Sequence, residues 1–213
     1  MNRTDLLNHL AKKYNLNRYL EIGVQVPELN FDKIVCEYKI GVDPDLKANA
    51  TFCKTSDWFF SLLLDDDGDD IYNYGYQSIF KTGPNMINTS FDLIFIDGLH
   101  TAKQVKKDFE NSLKILSPNG FIVLHDCNPE KEEHTIVPRP TKTGHWNGDV
   151  YKFAVAFEGS PHVHTVSIDN GCMVIQKKDG LKWVGVDFIL WDYFDQYRKE
   201  ILNLISWDEF VQL

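Results

Sequence analysis

Apolar residues at helical spacing open the chain: Leu6, Leu7, Leu10, Ala11 and Tyr14 recur at intervals of three and four, which predicts an amphipathic helix with Thr4 as its N-cap. The pattern then changes to short apolar runs that end in turn residues. RYLEIG stops at Gly23, and YKIGVDPD stops at Asp43 and Pro44, so each reads as a strand. A short helix is expected between them near Pro27 to Val35, because proline is tolerated in a first turn whose N–H has no intrahelical partner. A third strand at about Ala50 to Lys54 leads into TSDWFF, where Thr55 or Ser56 can cap a helix carrying Phe59, Phe60, Leu63 and Leu64.

Periodicity lapses from Asp65 to Ser90, a stretch of acidic, tyrosine-rich and Gly-Pro residues that reads as a surface excursion. FDLIFIDG is a near-continuous apolar run, the pattern of a central parallel strand buried on both faces. A helix with Val105, Phe109, Leu113 and Leu116 on one side follows, SPNG stops it, and FIVLHD is a second buried strand. This β-α-β-α alternation predicts an α/β fold with helices on both sides of a parallel sheet. Cys127 to Asp149 has no periodicity, and a loop of that length in a compact domain predicts a lid. The remainder reads as a helix from Val150, strands near Val163 to Ile168 and Cys172 to Gln176 joined at Asn170-Gly171, and a long last helix. Ser206 and Glu209 have capping-box spacing for a final short one.

A chain of 213 residues fits one domain with one sizeable core. Asp plus Glu outnumber Lys plus Arg by 31 to 22, a formal charge of -9, which excludes an overall basic field for nucleic acid. The longest apolar stretch, Trp58 to Leu64, is too short to cross a bilayer, and the N-terminus lacks a signal-peptide core; a cytoplasmic protein without a membrane partner is expected. Cys36, Cys53, Cys127 and Cys172 form no C-x-x-C pair and read as reduced packing thiols. Trp191, Tyr193 and Trp207 as surface aromatics are compatible with a homodimer.

The chemistry concentrates at strand ends. In an open α/β sheet, ligands occupy the crevice beyond the carboxyl ends of the strands, and here those ends carry Glu21-Ile22-Gly23, Asp43, Asp57, Asp97 and His125-Asp126. The interval from Glu21 to Asp43 is that of a nucleotide fold placing a ribose-binding carboxylate after its first glycine turn. Each acid taken singly is explained equally well by turn chemistry; the ordered set is more specific. EIGVQVP offers one glycine, not G-x-G-x-x-G, which disfavours a pyrophosphate ligand. The run DDDGDD fails the calcium-loop pattern, because a loop begun at Asp65 has Asp70 and Tyr76 where Gly and Glu belong.

YLEIGV, KIGVDPD, TSDWFF, FDLIFIDGLH, GFIVLHDCNP, WNGDVYK and DNGCMVI, in this order, resemble a class I S-adenosylmethionine-dependent methyltransferase. Small bacterial enzymes grouped with sugar and natural-product O-methyltransferases are the most similar. The likeness runs from Arg18 onward apart from the excursion, and IDGLH and LHDCNP are its most specific parts. It implies a Rossmann-like methyltransferase fold, a seven-stranded mostly parallel sheet with an antiparallel last strand, and S-adenosylmethionine as cofactor. It implies that Glu21 and Gly23 hold the methionine part of the cofactor, that Asp43 binds the ribose diol, that Asp57 lies near the adenine, and that Asp97 belongs to the same pocket. The family usually keeps a second glycine where this chain has Gln25, Val26 and Pro27.

Some similar sugar O-methyltransferases hold a divalent metal with Asp-x-x-His after the fourth strand and an acidic pair after the fifth. Asp97-Gly98-Leu99-His100 reproduces the first element, and His125-Asp126 stands where the pair would be. The resemblance therefore implies Asp97, Asp126 and His125 as ligands of Mg²⁺, Mn²⁺ or Zn²⁺, with His100, or His125 in a metal-free site, as the base. A hydroxyl is a poor nucleophile at neutral pH, so a metal or a base is what its methylation requires. Trp146, Asp149 and Lys152 at the end of the lid could present an aromatic face and polar handles to a sugar-like acceptor. Methyl transfer to an oxygen of a small polar acceptor is the expected activity. Two other readings stay open: action on a different small molecule, by N-methylation or non-methyl chemistry, and a catalytically silent binding domain with an altered glycine loop.

Overall fold

The computed structural model describes residues 1–64, 77–83, 86–87, 89–141, 144–185 and 188–213. In chain order the elements are α1 (Arg3–Tyr14), β1 (Arg18–Ile22), β2 (Tyr38–Val42), α2 (Ser56–Leu64), α3 (Gln77–Phe80), β3 (Lys81–Gly83), β4 (Met86–Ile87) and β5 (Phe91–Ile96). They continue as α4 (Ala102–Ile115), β6 (Leu116–Leu124), α5 (Tyr151–Ala154), β7 (Val163–Val166), β8 (Cys172–Gln176), α6 (Trp191–Ile201), β9 (Leu204–Ile205) and α7 (Trp207–Phe210). Seven strands form one sheet in the order β2-β1-β5-β6-β8-β7-β9, while β3 and β4 pair apart from it.

The sheet is the expected α/β, Rossmann-like arrangement. β2, β1, β5 and β6 run parallel. β8 is antiparallel to both of its neighbours, and the two-residue β9 then adds parallel to β7. Alternate residues of each strand feed opposite cores, as the period of two requires. Ile94, Ile96, Ile122 and Leu124 pack with Phe59, Phe109 and Phe153 on one face. Leu93, Phe95, Phe121 and Val123 pack with Leu6, Leu7, Leu10 and Phe210 on the other. Three layers result, α/β/α.

Several local expectations are corrected. The cap of α1 is Asn2, two residues earlier than Thr4, in a reciprocal box with Asp5. Thr4 is instead buried and donates its hydroxyl to Asn30. The predicted helix over 27–35 is two 3-10 turns, Pro27–Leu29 and Phe31–Lys33; Asn30 between them has φ -138 and ψ -64, outside the helical region. The strand at 50–54 reduces to one parallel bridge from Phe52 to Val42. Leu116 begins β6 rather than closing α4, so SPNG lies inside the strand. The caps at Thr55 and Ser206 occur as expected. The acidic run Asp65 to Asp70 lies outside the described residues. No helix among the described residues is long and apolar enough to cross a membrane. Tyr193 is exposed, whereas Trp191 and Trp207 pack against the two cores.

Candidate active site

Register places the candidate residues in a row. Ile22, Val42, Ile96 and Leu124 end level in neighbouring strands, and the ladder continues one residue further. Gly23 N–H donates to Val42 O (2.8 Å), Asp97 N–H to Ile22 O (2.8 Å) and His125 N–H to Ile96 O (3.1 Å). The side chains that follow the strands therefore open onto one crevice, a cavity of about 740 Å³ lined by Arg3, Glu21, Gly23, Asp43, Asp57, Asp97, His100, His125, Asp126 and Trp146 among others. That volume lies within the range of small-molecule sites, roughly 300–1,000 Å³.

The first loop is built around Gly23 and Asp43. Gly23 has φ +91, and a Cβ there would lie 2.2 Å from the carbonyl oxygen of Asp97, so only glycine lets the two loops approach. Gln25, at the place of the missing second glycine, adopts the left-handed region with φ +53. Its N–H donates to Asp43 Oδ2 (2.9 Å), while Asp45 N–H donates to Asp43 Oδ1 (2.8 Å). Asp43 thus holds the loop open, and each of its oxygens keeps acceptor capacity for a ligand hydroxyl.

Glu21 is buried in β1 yet faces the cavity. The Tyr19 hydroxyl (2.6 Å) and Asn30 Nδ2 (3.0 Å) both donate to Oε2, which leaves Oε1 for a donor in the cavity. Burial pushes its carboxyl up to about 7, and the two hydrogen bonds offset only part of that. Asp57 lies in the first turn of α2, paired with Lys107 (2.8 Å) and accepting from Gln104 Nε2 (2.9 Å); these two bonds hold it below the usual carboxylate range.

Asp97, His100, His125 and Asp126 meet at the centre. His125 Nδ1 lies 3.0 Å from Asp97 Oδ1 and 3.3 Å from Asp126 Oδ2. His100 Nδ1 lies 3.0 Å from Asp126 Oδ2, and its Nε2 3.4 Å from Asp97 Oδ1. Burial alone would lower the His100 imidazolium, but the Asp126 and Asp97 carboxylates outweigh it and hold that group at about 9. His125 is likewise raised against its burial by Asp97 and Asp126. Both carboxylates are lowered, burial being outweighed first by His125. The carboxylates thus favour the protonated form of both imidazoles, and the imidazoles in turn favour the ionised form of both aspartates. Asp126 has φ +60, a conformation that side chains rarely adopt and that turns its carboxylate toward His100.

Ligand atoms of Asp97, His100 and Asp126 lie within 4.8 Å of one another. Two carboxylates and an imidazole form a chemically suitable donor set for a divalent cation, more so for Mn²⁺ or Zn²⁺ than for oxygen-seeking Mg²⁺. His100 Nδ1 is buried and, despite its closeness to Asp126, makes no hydrogen bond of proper geometry among the described residues. The donors fit a cation. The nitrogen in this group is that of His100; His125, the ligand that the resemblance implies, has Nδ1 3.0 and 3.3 Å from the same two carboxylates.

Trp146 and Asn147, from the stretch expected to form a lid, pack against the centre. Trp146 stacks on His100, with ring centroids 5.0 Å apart and planes within 4°, and its Nε1–H donates to Ile136 O (2.7 Å). Asn147, fully buried, donates to Asp126 Oδ1 (2.6 Å). Asp149 and Lys152 do not line the cavity. Asp149 accepts from Ala102 N–H (2.7 Å) and so satisfies an orphan donor at the start of α4, while Lys152 pairs with Asp149 (3.3 Å).

Two residues escaped the sequence pattern. Arg3 donates from Nη1 to Asp97 Oδ2 (2.6 Å), and Asp169 accepts from the backbone N–H of Arg3 (3.2 Å). Only Arg3 left a local trace, a base in a first helical turn where the dipole favours an acid.

Residues 38–127 match the family model described as a methyltransferase domain. No curated protein sequence matches the chain. Among solved structures, an O-methyltransferase from Bacillus cereus in complex with SAH aligns at 17% identity and a TM-score of 0.45, over 82% of this chain and 80% of that one. The O-methyltransferase TomG from Streptomyces achromogenes, involved in tomaymycin synthesis and complexed with SAM, aligns at 14% identity and 0.46, over 83% and 80%. The N-methyltransferase NodS from Bradyrhizobium japonicum WM9 aligns at 18% identity and 0.40, over 81% and 91%.

Proposed function

We propose that this protein, a methyltransferase by the domain that residues 38–127 match, moves the methyl group of S-adenosylmethionine to a hydroxyl oxygen of a small polar acceptor, a sugar or sugar-like natural product. The observation that carries the reading is that the Gly23 loop and Asp43 share one cavity with the Asp97, His100 and Asp126 centre. Cofactor-type carboxylates and a proton-handling group face the same space.

The cofactor, when bound, supplies a methyl group already activated on a sulfonium. Glu21 would receive its ammonium on Oε1, Asp43 would accept from its ribose hydroxyls, and Asp57 would stand beside its base. What remains for the protein is alignment and one proton. His100 is the group placed to accept that proton: it stands at the cavity wall, is held flat by Trp146, and faces Asp126, which Asn147 fixes in turn. Without a cation, His100 acts as a base only as it loses its own proton, which Asp126 and Asp97 hold to about 9. Asp97, His100 and Asp126 are the residues that would hold a divalent cation, whose chemistry there would be Lewis-acid stabilisation of the acceptor oxygen.

The test is release of demethylated cofactor from S-adenosylmethionine in the presence of a panel of sugars and hydroxylated small molecules, after chelation and after readdition of Mg²⁺, Mn²⁺ or Zn²⁺. Acceptor-dependent release that falls at least about 10²-fold in Asp126→Asn supports the reading. Release confined to amine acceptors, or unaffected by that substitution, contradicts it.

A further inference from the structure

Arg3 opens α1 against the preference of the helix dipole, and the site explains why it is kept there. Its backbone N–H donates to Asp169 Oδ2 (3.2 Å), its Nε lies 3.3 Å from the same oxygen, and its Nη1 donates to Asp97 Oδ2 at 2.6 Å. Nη1 is also 3.3 Å from both ring nitrogens of His125. The guanidinium therefore lies against the imidazole, with a fixed charge beside Asp97, which like Asp126 faces both histidines. Asp97 gives Oδ2 to Arg3 and Oδ1 to His125 and His100.

We propose that Arg3 is the built-in cation of this centre: it competes with a divalent cation for Asp97, and the site opens to the cation when the first turn of α1 lets go of that carboxylate. A guanidinium cannot relieve the conflict by losing a proton, since arginine stays charged in proteins. A second cation on Asp97 must therefore either tolerate a like charge a few ångströms away or displace it. Displacement is feasible, because Arg3 belongs to a helix end, where intrahelical partners are fewest, and its side chain is 28% exposed. Asp169 is the retainer: its Oδ2 meets both the backbone N–H and the Nε of Arg3, while its Oδ1 lies 3.7 Å from His125 Nε2. The proposal rests on the methyltransferase reading only for the use to which the cation is put.

The experiment is a Mn²⁺ titration, by calorimetry or electron paramagnetic resonance, of the whole chain without cofactor or acceptor. Arg3→Met keeps the length of the stem and removes the charge, and should bind Mn²⁺ about tenfold or more tightly than wild type. Asp169→Asn loosens the retainer and should shift affinity in the same direction by less. Arg3→Lys, which keeps charge but loses the planar fork, should fall between wild type and Arg3→Met; it and Asp169→Asn carry the comparison if Arg3→Met does not fold. Equal Mn²⁺ affinity across the folded variants and wild type, absence of binding in all of them included, overturns the proposal. SAH titrated in parallel separates the two ideas: failure of wild type to bind SAH removes the methyltransferase reading and leaves the competition for Asp97 standing, whereas unchanged Mn²⁺ affinity with intact SAH binding removes only the competition.

Discussion

Replacing Glu21 by glutamine should make the protein more stable at alkaline pH while removing its affinity for cofactor. The carboxyl of Glu21 is raised by burial from 4.5 to about 7. A group whose folded pKa exceeds its unfolded one stabilises the fold below the unfolded value, and that contribution is lost as pH rises through the folded value. At 1.36 kcal/mol per unit, the difference of about 2.5 units is on the order of 3 kcal/mol by pH 8. Glutamine cannot ionise, yet its amide oxygen can still accept from the Tyr19 hydroxyl and Asn30 Nδ2, the two donors that meet Oε2. The advantage of Glu21→Gln over wild type should therefore grow by about 2–3 kcal/mol between pH 5 and pH 8. Urea denaturation at both pH values measures it, and SAH titration of the same samples measures the cost: without the carboxylate, the ammonium of the cofactor loses its partner. A stability difference that is the same at pH 5 and pH 8 would refute the reasoning, because it would mean that Glu21 is ionised in the fold as easily as in water.

His100→Ala should keep SAH affinity and slow methyl transfer by about 10²-fold, and wild-type turnover without added metal should climb with pH as His100, held at about 9, loses its proton; a flat or acid-favouring profile of product release between pH 6 and 10 would count against a base there. Gly23→Ala must place a Cβ 2.2 Å from the Asp97 carbonyl at φ +91 and should cost roughly 2–4 kcal/mol in urea denaturation; wild-type stability in that variant would contradict the tight loop contact. If the stretch 127–149 closes as a lid, it should be cleaved by protease more slowly when SAH is present, and equal cleavage with and without ligand would contradict that reading.

The parts of the fold legible in the sequence are those whose cause is local and repeated. β5 and the second half of β6 are unbroken apolar runs because both of their faces are buried, and α4 announces itself through Val105 and Phe109 on one face. The 27–35 segment misleads because Pro27 signals a helix start, while the buried side chain of Asn30 is committed to Tyr19 and Glu21 and its backbone leaves the helical region. At the site, Gly23, Asp43, Asp97, His125 and Asp126 were readable because each follows a strand directly. Arg3 was not, since it reaches Asp97 across 94 residues and Asp169 across 166. Asp149 has the residue type of a substrate handle and the geometry of a helix cap; only the fold distinguishes them.

The central claim is that this cavity holds S-adenosylmethionine with Asp43 on the ribose, and calorimetric titration of SAH into wild type and Asp43→Asn tests it most directly. Asparagine keeps the size of the side chain but has one acceptor oxygen where the native carboxylate meets the Gln25 and Asp45 N–H groups with one oxygen each, so it gives up a charge-assisted acceptor and one loop bond, and urea denaturation of the variant checks that the loop still folds. The account predicts one SAH per chain in wild type and a loss of about 1.5 kcal/mol or more, at least tenfold in affinity, in the variant. No heat of binding in wild type, or equal affinity in the two proteins, would contradict it.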